Sequence, residues 1–183
     1  MSIFILGIII FFGIHLVPST GLKPLMVGRL GEVKFKGVFS LVSAVGLGLL
    51  IYGFSLTEFQ ALWAPLPWGR SAAIFTMPLV IILLCAAQMP NNLKRYVRHP
   101  MLIGVALWSL SHLAANGDLA SSILFGSFLV FSIANILIVN TREPKTPQLP
   151  VNRVWDLAAI VLGVILYGVL FRFHGSFTGM PLM

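Results

Sequence analysis

Apolar residues run along this chain in long unbroken stretches separated by short polar connections, with no alternation of polar and apolar positions at a strand period. The stretches cover residues 2–18, 37–56, 71–89, 101–115, 119–140 and 157–173. A helix rises about 1.5 Å per residue, so runs of this kind suit a hydrocarbon core of roughly 30 Å. The pattern predicts an all-α fold, a polytopic membrane helical bundle of about six transmembrane helices forming one domain over residues 1–183. The first stretch has no basic region before it and no small-residue cleavage site after it, so it is read as a retained helix, not a signal peptide. Only Asn116, Gly117 and Asp118 separate the fourth and fifth stretches, which predicts a tight antiparallel helical hairpin.

Composition agrees with a lipid environment. Of 183 residues, 58% are hydrophobic and 9% charged, against about 25% charged in soluble domains. The formal net charge of +7 is unevenly spread, and its distribution predicts orientation. Lys23, Arg29, Lys34 and Lys36 fall in the first connection, Lys94, Arg95 and Arg98 in the third, and Arg142, Lys145 and Arg153 in the fifth. Arg70 and Arg172 alone fall on the opposite side. Basic residues in short loops stay cytoplasmic, so both termini are expected outside. The basic residues then act as anchors at a lipid surface. No basic stripe interleaved with aromatics is present, which argues against nucleic acid as a partner.

Chemistry inside the apolar stretches is sparse. No Lys, Arg, Asp or Glu lies near the middle of any of them, where a proton-driven pump or ion-coupled transporter would carry one. Cys85 is the sole cysteine, so neither an intrachain disulfide nor a cysteine metal cluster can form. Four histidines stand out among the few polar groups. His99 precedes Pro100 at the start of the fourth stretch, a natural place for a capping or anchoring residue. His174 follows Arg172 at the end of the last stretch, where an interfacial imidazole is expected. His15 and His112 lie deeper, and each needs a partner: a helix-to-helix hydrogen bond or a metal would serve. Gly104, Trp108, His112 and Ala115 share one face of a helix, and Gly7, Phe11 and His15 repeat the spacing. A small gap, an aromatic plate and a nitrogen donor would suit a flat macrocycle, and a small-to-large packing seam between helices would look the same. Thirteen residues turn a helix by about 220°, so His99 and His112 cannot both face one small site.

Taken together, Gly13-Ile14-His15 followed by Pro18-Ser19-Thr20, the stretch from Arg98-His99-Pro100 through Gly104 and Trp108 to Ser111-His112 and Asp118, and the closing Phe173-His174-Gly175 resemble the NnrU family. That family is similar to the plant and cyanobacterial zeta-carotene isomerases. The resemblance implies a bacterial inner-membrane protein associated with nitrogen-oxide metabolism. From the isomerase branch it implies haem b held by two histidines at positions matching His15 and His112. Depth along the helices leaves His99 and His174 as competing ligands, and the helical spacing puts Gly7, Phe11, Gly104 and Trp108 beside the two imidazoles as the cofactor's surroundings. The isomerases carry a cysteine three residues before the histidine matching His112. Ser109 stands there in this chain, so thiolate ligation is excluded.

Three classes of function follow. The first is a haem b protein in redox or isomerase chemistry, partnered by a hydrophobic small molecule or a membrane redox protein. The second is a membrane methyltransferase or reductase, because Arg98-His99-Pro100 followed by Gly104 also resembles the cofactor segment of isoprenylcysteine and phospholipid methyltransferases. Those enzymes carry a later paired acidic motif, whereas this chain has the isolated Glu143. The third is a non-catalytic assembly or regulatory partner of a nitrite or nitric-oxide reductase.

Overall fold

A computed structural model describes residues 1–142, 149–180 and 182, so Glu143, Pro144, Lys145 and Pro147 lie outside the described residues. The described residues form eight helices: α1 (Ser2–Leu16), α2 (Leu22–Leu30), α3 (Glu32–Ser55), α4 (Gly69–Gln88), α5 (Leu93–Tyr96), α6 (Pro100–Ala115), α7 (Leu119–Arg142) and α8 (Val154–Thr178). They contain no strand, only one isolated antiparallel bridge between Ala61 and Asp118. Each of the six apolar stretches becomes a helix. Four of these, α3, α4, α7 and most of α8, are long and apolar enough to cross a membrane, while α1 and α6 are shorter apolar helices. Burial is inverted relative to a soluble protein. Leu41, Phe75 and Val130 are exposed while Ser109, Ser132 and Asn135 are buried, which is what lipid outside and a polar-tolerant interior require. The protein is a multi-pass, all-helical membrane protein.

The helices fall into two compact units, one of residues 1–64 and 117–142, the other of residues 65–116, 149–180 and 182. The three-residue link 116–118 is where the chain passes from one unit to the other. Within the units, α6 packs on α4 and α7 on α1.

In the first unit α1 and α3 lie antiparallel along a seam of glycines. A Cβ at Gly7 would strike the Leu50 backbone, one at Gly46 would come within 2.7 Å of the Phe11 nitrogen, and one at Gly53 would strike the Phe4 backbone. Positions 4, 7 and 11 on α1 thus meet 53, 50 and 46 on α3. Small residues let the backbones approach where lipid supplies no hydrophobic drive for association. On α7, Ala120 packs near Phe4 and Leu50, and the Phe128 and Phe131 rings meet Phe12 at 4.8 and 4.9 Å, the first edge to face. That order makes α7 parallel to α1. Asp118 caps α7 by accepting the Ser121 N–H at 2.9 Å. Gly31, at φ 79°, makes the corner between α2 and α3, a conformation that favours glycine.

In the second unit α6 and α8 both run antiparallel to α4. Gly69 lies against the Ala114 carbonyl, Gly104 against Val80, Leu83 and Leu84, and Gly163 against Ile82. The far end is clasped by Asn92. Its backbone N–H donates to Asp156 Oδ1 at 2.7 Å, and its side-chain amide donates to Asp156 Oδ2 at 2.6 Å and to the Val151 carbonyl at 2.9 Å. Its Oδ1 accepts the Val151 N–H at 3.0 Å. These directions segregate charge within each unit. Lys23, Arg29, Lys34, Lys36 and Arg142 share one end of the first. Lys94, Arg95, Arg98 and Arg153 share one end of the second, and Arg70 and Arg172 share its other end.

Candidate functional site

Two imidazoles sit in the last turns of the two shorter apolar helices, and their local construction is the same. In α1 the Nδ1–H of His15 donates to the Phe11 carbonyl at 2.6 Å. In α6 the Nδ1–H of His112 donates to the Trp108 carbonyl at 2.8 Å. A carbonyl can only accept, so in each neutral ring Nδ1 carries the proton and Nε2 the lone pair. The i−4 residue is aromatic in both helices: the Phe11 ring lies 4.2 Å from His15 and the Trp108 ring 5.4 Å from His112. Phe39 and Phe131 complete an aromatic cage around His15, at 5.2 and 6.4 Å.

The glycines four residues further back serve packing. Gly7 is pressed against α3, and a Cβ at Gly104 would stand 3.3 Å from Leu84. Of the two uses that the spacing allowed for them, the structure shows the seam between helices. His99 is the N-cap residue of α6, with Pro100 following it in the first turn, and its carbonyl accepts the Ile103 N–H at 3.0 Å. It stands at the opposite end of α6 from His112. Ser109 is fully buried, and its hydroxyl has no hydrogen-bond partner among the described residues.

What the structure brings together in the second unit is His112 and His174. Both line a cleft between α4, α6 and α8 of about 420 Å³, counting its open mouth, with Met77, Ile81, Tyr167 and Phe171 among its walls. Gly179, at φ 74°, ends α8 and turns the chain back, so that His174 Nδ1 donates to the Met180 carbonyl at 2.8 Å and Leu182 reaches the cleft. Arg70 donates to the Leu182 carbonyl at 2.8 Å. Tyr167 fills a gap that the sequence itself opens. Pro78 lies inside α4 and has no N–H to give the Ile74 carbonyl. The Tyr167 hydroxyl donates to that carbonyl at 3.0 Å instead.

Tyr167, Met77 and Phe171 were not singled out by sequence reasoning. One signal was available: positions 167, 170, 171 and 174 make a single face of α8. The α4 side of the cleft carries no polar residue to draw attention to it.

A haem b, as the resemblance implies, needs nitrogen donors and apolar walls. His15 in the first unit and His112 in the second each carry an Nδ1 hydrogen bond to a helix carbonyl and stand beside an aromatic ring. No cluster of three or more His, Cys, Asp or Glu suited to a bare metal ion occurs among the described residues.

No curated protein matches the chain, and neither does any solved structure. The family profile described as NnrU protein matches residues 3–182, and the chain belongs to that family.

Proposed function

We propose that this NnrU-family protein binds haem b in the bacterial cytoplasmic membrane, crosses it six times with both termini outside, and serves a redox or isomerase reaction connected with nitrogen-oxide metabolism. The observation that carries the haem reading is the matched pair of Nδ1–carbonyl hydrogen bonds on His15 and His112. Fixing one imidazole nitrogen on an oxygen acceptor orients the ring and raises the basicity of the other, which is how ligating histidines are ordinarily prepared. Bound there, haem would supply one-electron exchange at a potential tuned by the imidazoles that hold it and by apolar surroundings. Phe11 and Trp108 would hold the two rings in place and keep water from them. For the topology, the support is the segregation of basic residues to one end of each unit.

The test is a visible spectrum of the detergent-purified protein, oxidised and reduced, followed by single replacements. Low-spin b-type bands are expected in the wild type. They should vanish in His15→Ala and His112→Ala and persist in His99→Ala and His174→Ala, all of which must still insert and fold. A wild type without bands overturns haem binding. Loss in His99→Ala with retention in His112→Ala overturns the ligand pair.

A further inference from the structure

A short segment beyond α3 closes the end of the first unit that carries no basic side chain. It reads Thr57-Glu58-Phe59-Gln60-Ala61-Leu62-Trp63, with Glu58 as its one charged group. Phe59 is 76% exposed, and Leu62 and Trp63 are exposed with it.

Exposed loops ordinarily leave their peptide groups to water. Here the backbone is satisfied from within. The Ser55 hydroxyl donates to the Tyr52 carbonyl at 2.7 Å, and the Thr57 hydroxyl and N–H both donate to the Phe54 carbonyl, at 2.7 and 3.0 Å, which closes the last turn of α3. The N–H groups of Leu62 and Trp63 share the Gly117 carbonyl at 2.8 and 3.1 Å, and the Gln60 carbonyl accepts the Leu119 N–H at 2.8 Å. With Ala61 bridged to Asp118, the loop is pinned to the start of α7. Main-chain pairing of this kind is what lipid demands and water does not.

The side chains favour the same surroundings. Ile51, Tyr52 and Leu56 are exposed along the last turns of α3, within the lipid-facing surface of a multi-pass protein. Phe59, Leu62 and Trp63 extend that surface past the end of the helix. Aromatic rings collect at the boundary between hydrocarbon and headgroups, where the ring is shielded and an indole N–H still meets an oxygen.

We propose that Phe59, Leu62 and Trp63 form an interfacial anchor that inserts into the headgroup layer of the bilayer, with phospholipid as its partner. The anchor also sets the height of α1. Phe4 lies against Gly53, and its ring meets Phe54 edge-on at 5.6 Å, so the start of α1 is held beside the turn from which the loop departs. The proposal rests on the membrane character of the chain and is independent of haem.

Site-directed spin labelling of the full-length protein in phosphatidylcholine nanodiscs tests it. The sole cysteine is first removed by Cys85→Ala. A nitroxide is then attached singly through Phe59→Cys, through Leu62→Cys and, as a reference on the exposed face of α7, through Val130→Cys. Collisions with oxygen, which concentrates in lipid, and with a water-soluble nickel chelate report depth. In the loop, nickel collisions should be fewer than for free label in solution, and the depth should be shallower than at the Val130 site. Collision with nickel at the solution rate would place the loop in water and overturn the proposal. Shielding from both reagents would mean that protein, a second copy or another chain, covers the loop, and overturns it as well. With the label at the Leu62 site, Phe59→Ser combined with Trp63→Ser should raise nickel collision to the solution rate while the helical circular dichroism is kept. An unchanged depth in that variant would show that the rings hold nothing. If the variant loses its helices, the depth of the label at the Phe59 site decides.

Discussion

An imidazole in the last turn of an apolar helix has two nitrogens to satisfy and little water to do it with. In α1 and α6 the carbonyl one turn back takes the first, so the tautomer is fixed by the helix itself before any ligand arrives. Tyr167 follows the same logic in reverse, because it answers a carbonyl that Pro78 leaves unpaired. This coupling can be measured. Tyr167→Phe should destabilise the wild type by about 1 kcal/mol, the cost of an orphaned carbonyl. In a Pro78→Ala background the backbone N–H restored at that position would take over, and the same replacement should cost almost nothing. Unfolding of the four proteins in detergent gives the coupling energy, and an equal loss in both backgrounds would show that the two residues act independently. At this scale the sequence was only half legible. His15, His112, Phe11 and Trp108 were visible from spacing, but the glycines before them were ambiguous, since a gap for a ligand and a gap for a neighbouring helix are identical until the neighbour is known. Tyr167 was invisible because its partner lies 93 residues away.

Helices, by contrast, were legible almost throughout. Uninterrupted apolar runs bounded by Pro, Gly and charge can do little else in lipid, where every backbone group must be satisfied within the segment. Four of the six cross by length and composition, and the sequence reading differs from α1, α3, α4, α6, α7 and α8 by a few residues at the ends. The two short helices α2 and α5 escaped notice, since neither carries a long apolar run. The Asn92 clasp escaped too, because it joins a loop to the first turn of α8 across 64 residues. Asn92→Ala should remove the side-chain bonds to Asp156 Oδ2 and to the backbone of Val151, leaving only the backbone N–H bond to Asp156 Oδ1. Amide hydrogen exchange is expected to quicken across residues 151–157 and to stay unchanged in α6. Uniform quickening over the whole second unit would mean that the clasp supports the fold globally, and no change would mean that it holds nothing.

Over the whole molecule, the sequence pointed to one polytopic bundle, and the family profile runs across both compact units. Their separate cores were not legible, because the glycine seams that bind α1 to α3 and α6 to α4 pair positions with no fixed sequence separation. The proposed topology is tested by reporters active only outside the cytoplasm. Fusions after Asn116 or Phe173 should be active and those after Lys34 or Arg95 silent; the reverse pattern would invert the orientation. Helix length also ties the protein to the lipid around it. The two helices bearing His15 and His112 are 15 and 16 residues long, about 22 and 24 Å, against a hydrocarbon layer of roughly 30 Å. The four longer helices can accommodate a change of lipid by tilting, whereas α1 and α6, under the proposed six-crossing topology, cannot, and each ångström of mismatch costs a fraction of a kcal/mol. Under that topology a thicker bilayer loads the two imidazole helices first, and the depth of the membrane is felt at His15 and His112 before the rest of the bundle responds.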